Sequence, residues 1–181
     1  MRTGKSMNIL KISVFVLSLL SCVPIGQANQ ASLMKSPDGI YSAHITSVAK
    51  SPDFPPEFIV EIRNTEHRPP ERGDYTSKSG EQGLSLHHGA WTPDSRFFIY
   101  TTVSSGGHMA WQYLTFFFDR KDGKIHDFND FLPPIAEGTF SLKAPDIITI
   151  TIWTPLTPEK PLDESIALPI SFRMSDLKKS K

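Results

Sequence analysis

Three histidines near the middle of the chain have the side chains best suited to metal binding or acid–base chemistry. His87 and His88 are adjacent, and His108 follows the loop at residues 104–107. On a strand, neighbouring side chains point to opposite faces, so His87 and His88 cannot easily bind one metal. His88, His108 and a carboxylate such as Asp94 could form a metal site, although exposed or hydrogen-bonded imidazoles are more common. The sequence leaves this centre as an alternative and predicts no cofactor.

Other catalytic motifs are absent from the sequence. It contains no Gly-x-Ser-x-Gly, Ser-x-x-Lys or His-Glu-x-x-His segment. The glycines at 106 and 107 could turn backbone N–H groups toward an anion, but a flexible hairpin loop explains them without any ligand and is the favoured interpretation. Asp127 and Asp130 are expected to form turns rather than a glycosidase pair. We therefore predict no catalytic residue and favour a protein that is not an enzyme.

Aromatic side chains crowd residues 91–118. One face of a sheet buries only alternate residues, so Phe98, Tyr100, Tyr113 and Phe117 either pack on a second sheet or stay exposed. Burial against a second sheet is the favoured outcome. Exposed aromatic rings would instead form a binding surface, because such residues dominate interface hot spots. The candidate binding residues are Trp91, Tyr100, His108, Trp111 and Tyr113.

The first 28 residues resemble a bacterial export signal. Arg2, Lys5 and Lys11 give a positively charged start, and residues 12–20 are apolar apart from two serines. This run is too short for a transmembrane helix, which needs about 20 apolar residues. No other segment is continuously apolar over such a length, so no transmembrane segment is predicted.

Two processing routes remain open. Signal peptidase cleavage after Ala28 would leave a tether at 29–36, a single β domain at 37–174 and a basic tail at 175–181. The alternative is a lipoprotein signal at 1–21, with Cys22 acylated. Cys22 is the only cysteine, so neither route allows an internal disulfide.

The charge of the mature chain argues against nucleic acid as a partner. Removal of residues 1–28 takes away three of the 19 basic residues, leaving 16 basic against 19 acidic residues and a net charge of −3. Nucleic-acid binding needs a basic patch that displaces counterions from phosphates. About 150 residues remain, the size of one domain.

Apolar residues alternate with period two in several segments, which indicates β-strands. Such segments occur near residues 41–46, 58–63, 147–153 and 168–174. Strands are also predicted at 97–103 and 113–118, where aromatic and β-branched residues are dense on both faces, and at 125–128. Asp122-Gly123 predicts a hairpin turn before Ile125. No segment has helical periodicity over ten residues, so we predict an all-β fold, a compact antiparallel domain of about seven or eight strands.

Pro-Asp pairs precede three of the predicted strands, at residues 37–38, 93–94 and 145–146. Proline fixes φ for a type I turn, and the aspartate can accept hydrogen bonds from nearby backbone N–H groups. The spacing favours an internal repeat of about 50 residues, each unit a small antiparallel sheet. Unrelated turns of similar composition are the alternative.

The segment WTPDSRFFIY, residues 91–100, resembles the Pro-Asp repeat of TolB-type β-propellers. Residues 114–125, with their Asp-Gly turn, are similar to the later hairpin of such a blade. The resemblance implies propeller-blade-like units that serve as an interaction platform. A closed propeller needs at least four blades, and this chain is too short for that.

These observations favour an exported, non-catalytic binding protein of the bacterial envelope, either periplasmic or secreted. Its expected partner is a protein or another envelope component. One alternative is a metal protein or enzyme centred on His88 and His108. The other is a structural lipoprotein of the outer membrane, anchored through Cys22.

Overall fold

The computed structural model describes residues 31–65, 69–107, 112–154 and 166–177. These residues form eleven β-strands in three antiparallel sheets and two short 3₁₀ turns, at Phe128–Asp130 and Met174–Asp176. The predicted all-β, antiparallel fold is confirmed. In the described part of the chain, no helix has the length and apolar character that a membrane crossing requires.

Each sheet is a meander whose strands follow one another in chain order. Sheet A contains β1 (Ala31–Lys35), β2 (Tyr41–Val48), β3 (Glu57–Asn64) and β4 (Glu71–Asp74). Sheet B contains β5 (Leu84–Trp91), β6 (Phe97–Ser104), β7 (Leu114–Asp119) and β8 (Lys124–Asp127). Sheet C contains β9 (Ile135–Lys143), β10 (Ile147–Trp153) and β11 (Ala167–Arg173).

The strands outnumber the seven or eight expected, because β1, β4, β5 and β9 lack continuous apolar alternation. Most of the predicted tether is in fact β1, which pairs with β2 from Ala31 opposite Thr46 to Lys35 opposite Ser42. Backbone pairing forms this strand, and the backbone oxygen of Met34 also accepts a hydrogen bond from the Trp91 indole at 2.9 Å. The tether prediction is therefore wrong for residues 31–35.

Sheet B lies between the other two sheets and is buried on both faces. Phe98 and Tyr100 of β6 pack with residues of sheet A, whereas Phe97 and Ile99 pack with residues of sheet C. Phe117 belongs to the second cluster. The burial expected for Phe98, Tyr100 and Phe117 is confirmed, although on two faces of sheet B rather than one.

The outer faces of sheets A and C are largely polar, although Leu33 of β1, in the same cross-strand row as His44 and Glu61, is 51% exposed. On sheet A, Glu61 pairs with Arg63 at 2.5 Å and with Arg72 at 2.9 Å. On sheet C, the hydroxyls of Thr149 and Ser171 lie 2.7 Å apart. Polar outer faces are typical of the terminal units in stacked repeats, because these faces meet water.

Candidate functional site

The three Pro-Asp turns occupy the same topological position, between the first and second strands of each sheet. Residues 37–38 join β1 to β2, residues 93–94 join β5 to β6, and residues 145–146 join β9 to β10. The second strands β2, β6 and β10 are therefore topologically equivalent. We call the end of the sheets that these turns form, together with the turn at 120–123, the turn face.

The first two turns share one set of hydrogen bonds. In sheet A, the Ser36 hydroxyl donates to Asp38 at 2.6 Å, and Asp38 accepts the N–H of Ile40 at 3.0 Å. Ser36 Oγ also accepts the N–H of Tyr41 at 3.0 Å. Gly39 takes a φ of 73°, in the left-handed region that favours glycine.

The turn of sheet B repeats these bonds at the same offsets. The Thr92 hydroxyl donates to Asp94 at 2.6 Å, and Asp94 accepts the N–H of Arg96 at 3.1 Å. Thr92 Oγ1 accepts the N–H of Phe97 at 2.9 Å, and Ser95 takes a φ of 65°. The predicted role of Asp94 as an acceptor of backbone N–H groups is confirmed.

The turn of sheet C differs, because Ala144 stands where the other turns have a hydroxyl. Asp146 is only 3% exposed, and its Oδ2 accepts the N–H of Ser175 at 2.9 Å. Its Oδ1 has no hydrogen-bond partner in the described part of the chain. Ser175 was expected in the basic tail, but this bond attaches it to sheet C; residues 178–181 lie outside the described residues.

Hydrogen bonds join the three turns side by side. The N–H of Asp38 donates to Ser95 Oγ, and the N–H of Asp94 donates to the Pro145 carbonyl, each at 3.0 Å. Neighbouring sheets are thus fixed to one another at the turn face. These hydrogen bonds fix the positions of the side chains on the turn face.

Arg120 connects sheets A and B across the turn face. Its Nη1 donates to Asp38 at 2.5 Å and to the Ser95 carbonyl at 3.1 Å, and its guanidinium lies 4.4 Å from the centre of the Tyr41 ring. Partial burial alone would raise the pKa of Asp38. The hydrogen bonds from Ser36 and Arg120 outweigh it and lower that pKa to about 2.

Two clefts open at the turn face. The cleft between sheets A and B has a volume of about 290 Å³, and its lining includes Tyr41, Glu71, Arg120 and Lys121. The cleft between sheets B and C, about 260 Å³, is lined in part by Arg96, His126, Met174 and Leu177. Both contain charged groups of each sign, so neither favours ligands of one charge.

At the opposite end of sheets A and B, Glu57 is a buried carboxylate. Its oxygens accept the N–H and hydroxyl of Ser77, each at 2.6 Å, the N–H of Gly83 at 2.7 Å and the hydroxyl of Ser105 at 3.0 Å. Burial alone would raise the pKa of Glu57, but these donors hold it below its ordinary value. Sequence reasoning missed Glu57, because its partners lie 20 to 48 positions away.

Two candidate binding residues belong to the core. Tyr100 is fully buried, and its hydroxyl lies 2.6 Å from that of Tyr75, whose pKa burial raises to about 12. Trp91 is also buried and packs beside Phe98. Burial therefore removes Trp91 and Tyr100 from the alternative in which exposed aromatic side chains form a binding surface.

Of the three remaining binding candidates, only Tyr113 lies within the described residues. It is half-buried, and the centre of its ring lies 5.3 Å from that of the His87 ring. His108, Trp111 and the lipidation candidate Cys22 lie outside them. The His88 and Phe140 rings pack edge to face, with their centres 4.6 Å apart, while Asp94 is hydrogen-bonded within its own turn. Across residues 31–65, 69–107, 112–154 and 166–177, no three His, Cys, Asp or Glu side chains are grouped to hold a metal.

Strand β11 carries exposed apolar surface. Leu168 is 47% exposed, and Ile166, which precedes the strand, is 63% exposed. Beside the strand runs a groove of about 330 Å³, which we call the β11 groove. Its lining is Leu132, Ile170, Ser171, Phe172, Arg173, Asp176 and Leu177.

The predicted turn role of Asp127 and Asp130 agrees with the structure. Asp127 begins the 3₁₀ turn Phe128–Asp130, and its carboxylate accepts the N–H of Asn129 at 2.8 Å. Burial raises the pKa of Asp127.

Comparison of the chain with protein-family models, curated proteins and solved structures gives no significant match.

Proposed function

We propose that this chain is an exported, non-catalytic β domain of the bacterial envelope that binds a protein or another envelope component through β11. The observation that carries the proposal is the exposed apolar surface of this strand, with Ile166 and Leu168 beside the β11 groove. Continuous apolar surface with a polar surround is typical of interaction sites. Leu33 on the outer face of sheet A is also exposed, at 51%, but it stands in a cross-strand row with His44 and Glu61, and the Glu61 carboxylate pairs with Arg63 and Arg72.

Kinship with Pro-Asp repeat propellers is part of the same proposal. It is supported by the equivalent positions of the three turns and by the shared hydrogen bonds of the first two. In this proposal the blade-like sheets form a rigid scaffold, and the partner contacts the last sheet.

Site-specific photocrosslinking in the intact envelope tests the proposal. The variant Leu168→p-benzoylphenylalanine places the crosslinker on β11, and Arg63→p-benzoylphenylalanine is the matched control on the outer face of sheet A. We expect one adduct of defined mass from position 168 and none from position 63. Equal adducts at both positions, or none at either, would contradict the proposal.

A further inference from the structure

In the described part of the chain, sheet C has three strands, whereas sheets A and B have four. One repeated hydrogen bond aligns the three sheets: the residue after each third strand donates its N–H to the residue before the second strand. The donors are Thr65, Arg120 and Met174, the acceptors are Ile40, Arg96 and Asp146, and the distances are 3.0, 3.1 and 3.0 Å. Met174 therefore corresponds to Arg120 and Thr65. By this alignment β11 corresponds to β3 and β7.

The alignment shows where a fourth strand would pair. In sheet B, β8 pairs with β7 from Phe116 to Asp119. Counting back from Met174 as from Arg120, the corresponding residues of β11 are Ile170 to Arg173. In the described part of the chain, β11 pairs with β10 along one edge, and no strand pairs with its other edge.

The backbone of β11 presents donors along this edge. The Thr154 N–H donates to the Ile166 carbonyl at 2.9 Å, and Met174 donates to Asp146, so the even-numbered residues of β11 bond to β10. Ser171 and Arg173 must then point their N–H and C=O groups away from β10. Pro169 points the same way but has no N–H, which limits the edge to a short stretch.

The β11 groove lies where an inward side chain of a fourth strand would pack. In sheet B, Ile125 of β8 pairs with Phe118 and packs against the core. Phe172 corresponds to Phe118, and it lines the groove together with Leu132 and Leu177. A strand on this edge would therefore place the residue opposite Phe172 in the groove, and the groove favours an apolar side chain there.

An exposed charge at the end of β11 favours an acidic residue in the paired segment. Arg173 is exposed there, and Asp176 is the acidic residue in the groove lining. Opposite charges in directly paired cross-strand positions stabilise a sheet, and like charges destabilise it. This balance also disfavours the chain's own lysine-rich tail as the strand that pairs beside Arg173.

We propose that an extended segment of the partner adds to sheet C as its antiparallel fourth strand, pairing with residues 170–173 of β11. An apolar side chain lies opposite Phe172, and an acidic one lies opposite Arg173. Main-chain hydrogen bonds to Ser171 and Arg173 supply affinity, and the groove supplies specificity. This inference rests on the proposed function, since it specifies how the partner binds β11.

A synthetic peptide tests the inference on the full-length protein. The probe is acetyl-Thr-Glu-Ile-Thr-Val-Thr-amide, whose Glu and Ile would lie opposite Arg173 and Phe172. We expect amide chemical-shift changes confined to β11, Leu132 and Leu177. Methylation of the backbone nitrogen of the Thr opposite Ser171 should weaken binding about tenfold or more, because it removes a main-chain donor.

Protein variants supply the matched controls. Ser171→Pro removes the outward N–H and should weaken peptide binding about tenfold or more, whereas Ser171→Ala keeps the N–H and should leave binding unchanged. The amide spectrum of sheets A and B verifies folding of the proline variant. If the Ser171→Pro variant does not fold, the N-methylated peptide still tests whether the segment binds through main-chain hydrogen bonds to β11.

Three outcomes would overturn the inference. The first is peptide binding that survives both Ser171→Pro and methylation of the peptide. The second is tighter binding after removal of residues 178–181, which would make the tail the natural occupant. The third is a dimer that Ser171→Pro dissociates, which would make a second copy the occupant. Crosslinks from position 168 would sustain the proposed function in each case, so the two failures are distinguishable.

Discussion

The joint between sheets A and B and the joint between sheets B and C use the same position in different ways. Arg120 and Met174 both follow a third strand, and both donate their N–H to an equivalent carbonyl. The Arg120 side chain binds Asp38 and covers the Tyr41 ring, whereas Met174 is buried in a cluster that includes Phe97. One backbone arrangement is thus fixed by charge at one joint and by apolar burial at the other.

The joint between sheets A and B is also polar at its other end, where Glu57 holds together two loops. Between sheets B and C, in contrast, Met174 packs among apolar and aromatic side chains, and the buried Thr101 hydroxyl donates to the Gly138 carbonyl. Electrostatic contacts respond to pH and salt, while apolar burial does not respond in the same way. The two joints should therefore differ in their response to solution conditions.

The largest expected effect is at Glu57. The variant Glu57→Gln replaces a carboxylate that accepts four hydrogen bonds with an amide whose NH₂ group must face donors. We expect a loss of about 3 kcal/mol or more in the free energy of unfolding. Urea denaturation measures it. Glu61→Gln, on the outer face of the same strand, is the control and should cost less than about 1 kcal/mol. Equal losses in the two variants would contradict the inference that Glu57 holds the two loops together.

Truncation of Met174 tests the apolar joint. Met174→Ala removes a buried side chain between sheets B and C, and such changes cost about 2 to 5 kcal/mol. Because the contact is apolar, the loss should be the same at low and high salt. Leu168→Ala, at an exposed position, should cost less than about 0.5 kcal/mol. A loss that shrinks with added salt would indicate that Met174 acts through a charged neighbour.

Arg120 should give a smaller loss that depends on salt. Arg120→Met keeps much of the side-chain volume but removes the ion pair with Asp38, which is partly exposed. We expect a cost of about 1 kcal/mol at low ionic strength, falling as salt screens the pair. Lys121→Met is the control at the next position. A cost independent of salt would show that Arg120 stabilises mainly by covering Tyr41.

The low pKa of Asp38 predicts an effect of pH at the same joint. Its folded pKa of about 2 lies below the ordinary value of 3.8, so its contribution to stability is fully present above pH 3.8. The contribution disappears as pH falls through about 2. Unfolding followed between pH 5 and pH 2 should show a weaker acid dependence in Asp38→Asn than in the parent protein. Met174→Ala should keep the parent's dependence; a parallel change in both variants would contradict the assignment to Asp38.

The sequence was informative wherever local chemistry determines structure. Alternation identified β2 and β10, dense aromatic and β-branched residues identified β6, and Asp122-Gly123 identified the hairpin in which Gly123 takes a φ of 72°. Burial of Tyr100 was expected, but the sequence did not show that a sheet lies on each side of β6, and it left Tyr100 among the candidate binding residues. Glu57 had no local signal, because its donors come from distant loops. Periodicity records which side of a strand is apolar, but it does not record how many layers cover the strand.

The smallest expected effect concerns the turn of sheet C. Ser36 and Thr92 each donate a hydroxyl to the aspartate two residues later, and Ala144 cannot donate to Asp146. Ala144→Ser would offer a donor to Oδ1, so we expect a gain of about 0.5 to 1 kcal/mol in the free energy of unfolding. Thr92→Ala in sheet B removes the donor to Asp94 and also the acceptor of the Phe97 N–H, so it should lose more, about 1 to 3 kcal/mol. A gain in the first and a loss in the second would show that the missing hydroxyl separates the third turn from the other two. If Ala144→Ser gives no gain while Thr92→Ala is destabilising, the third turn differs in backbone geometry as well as in sequence.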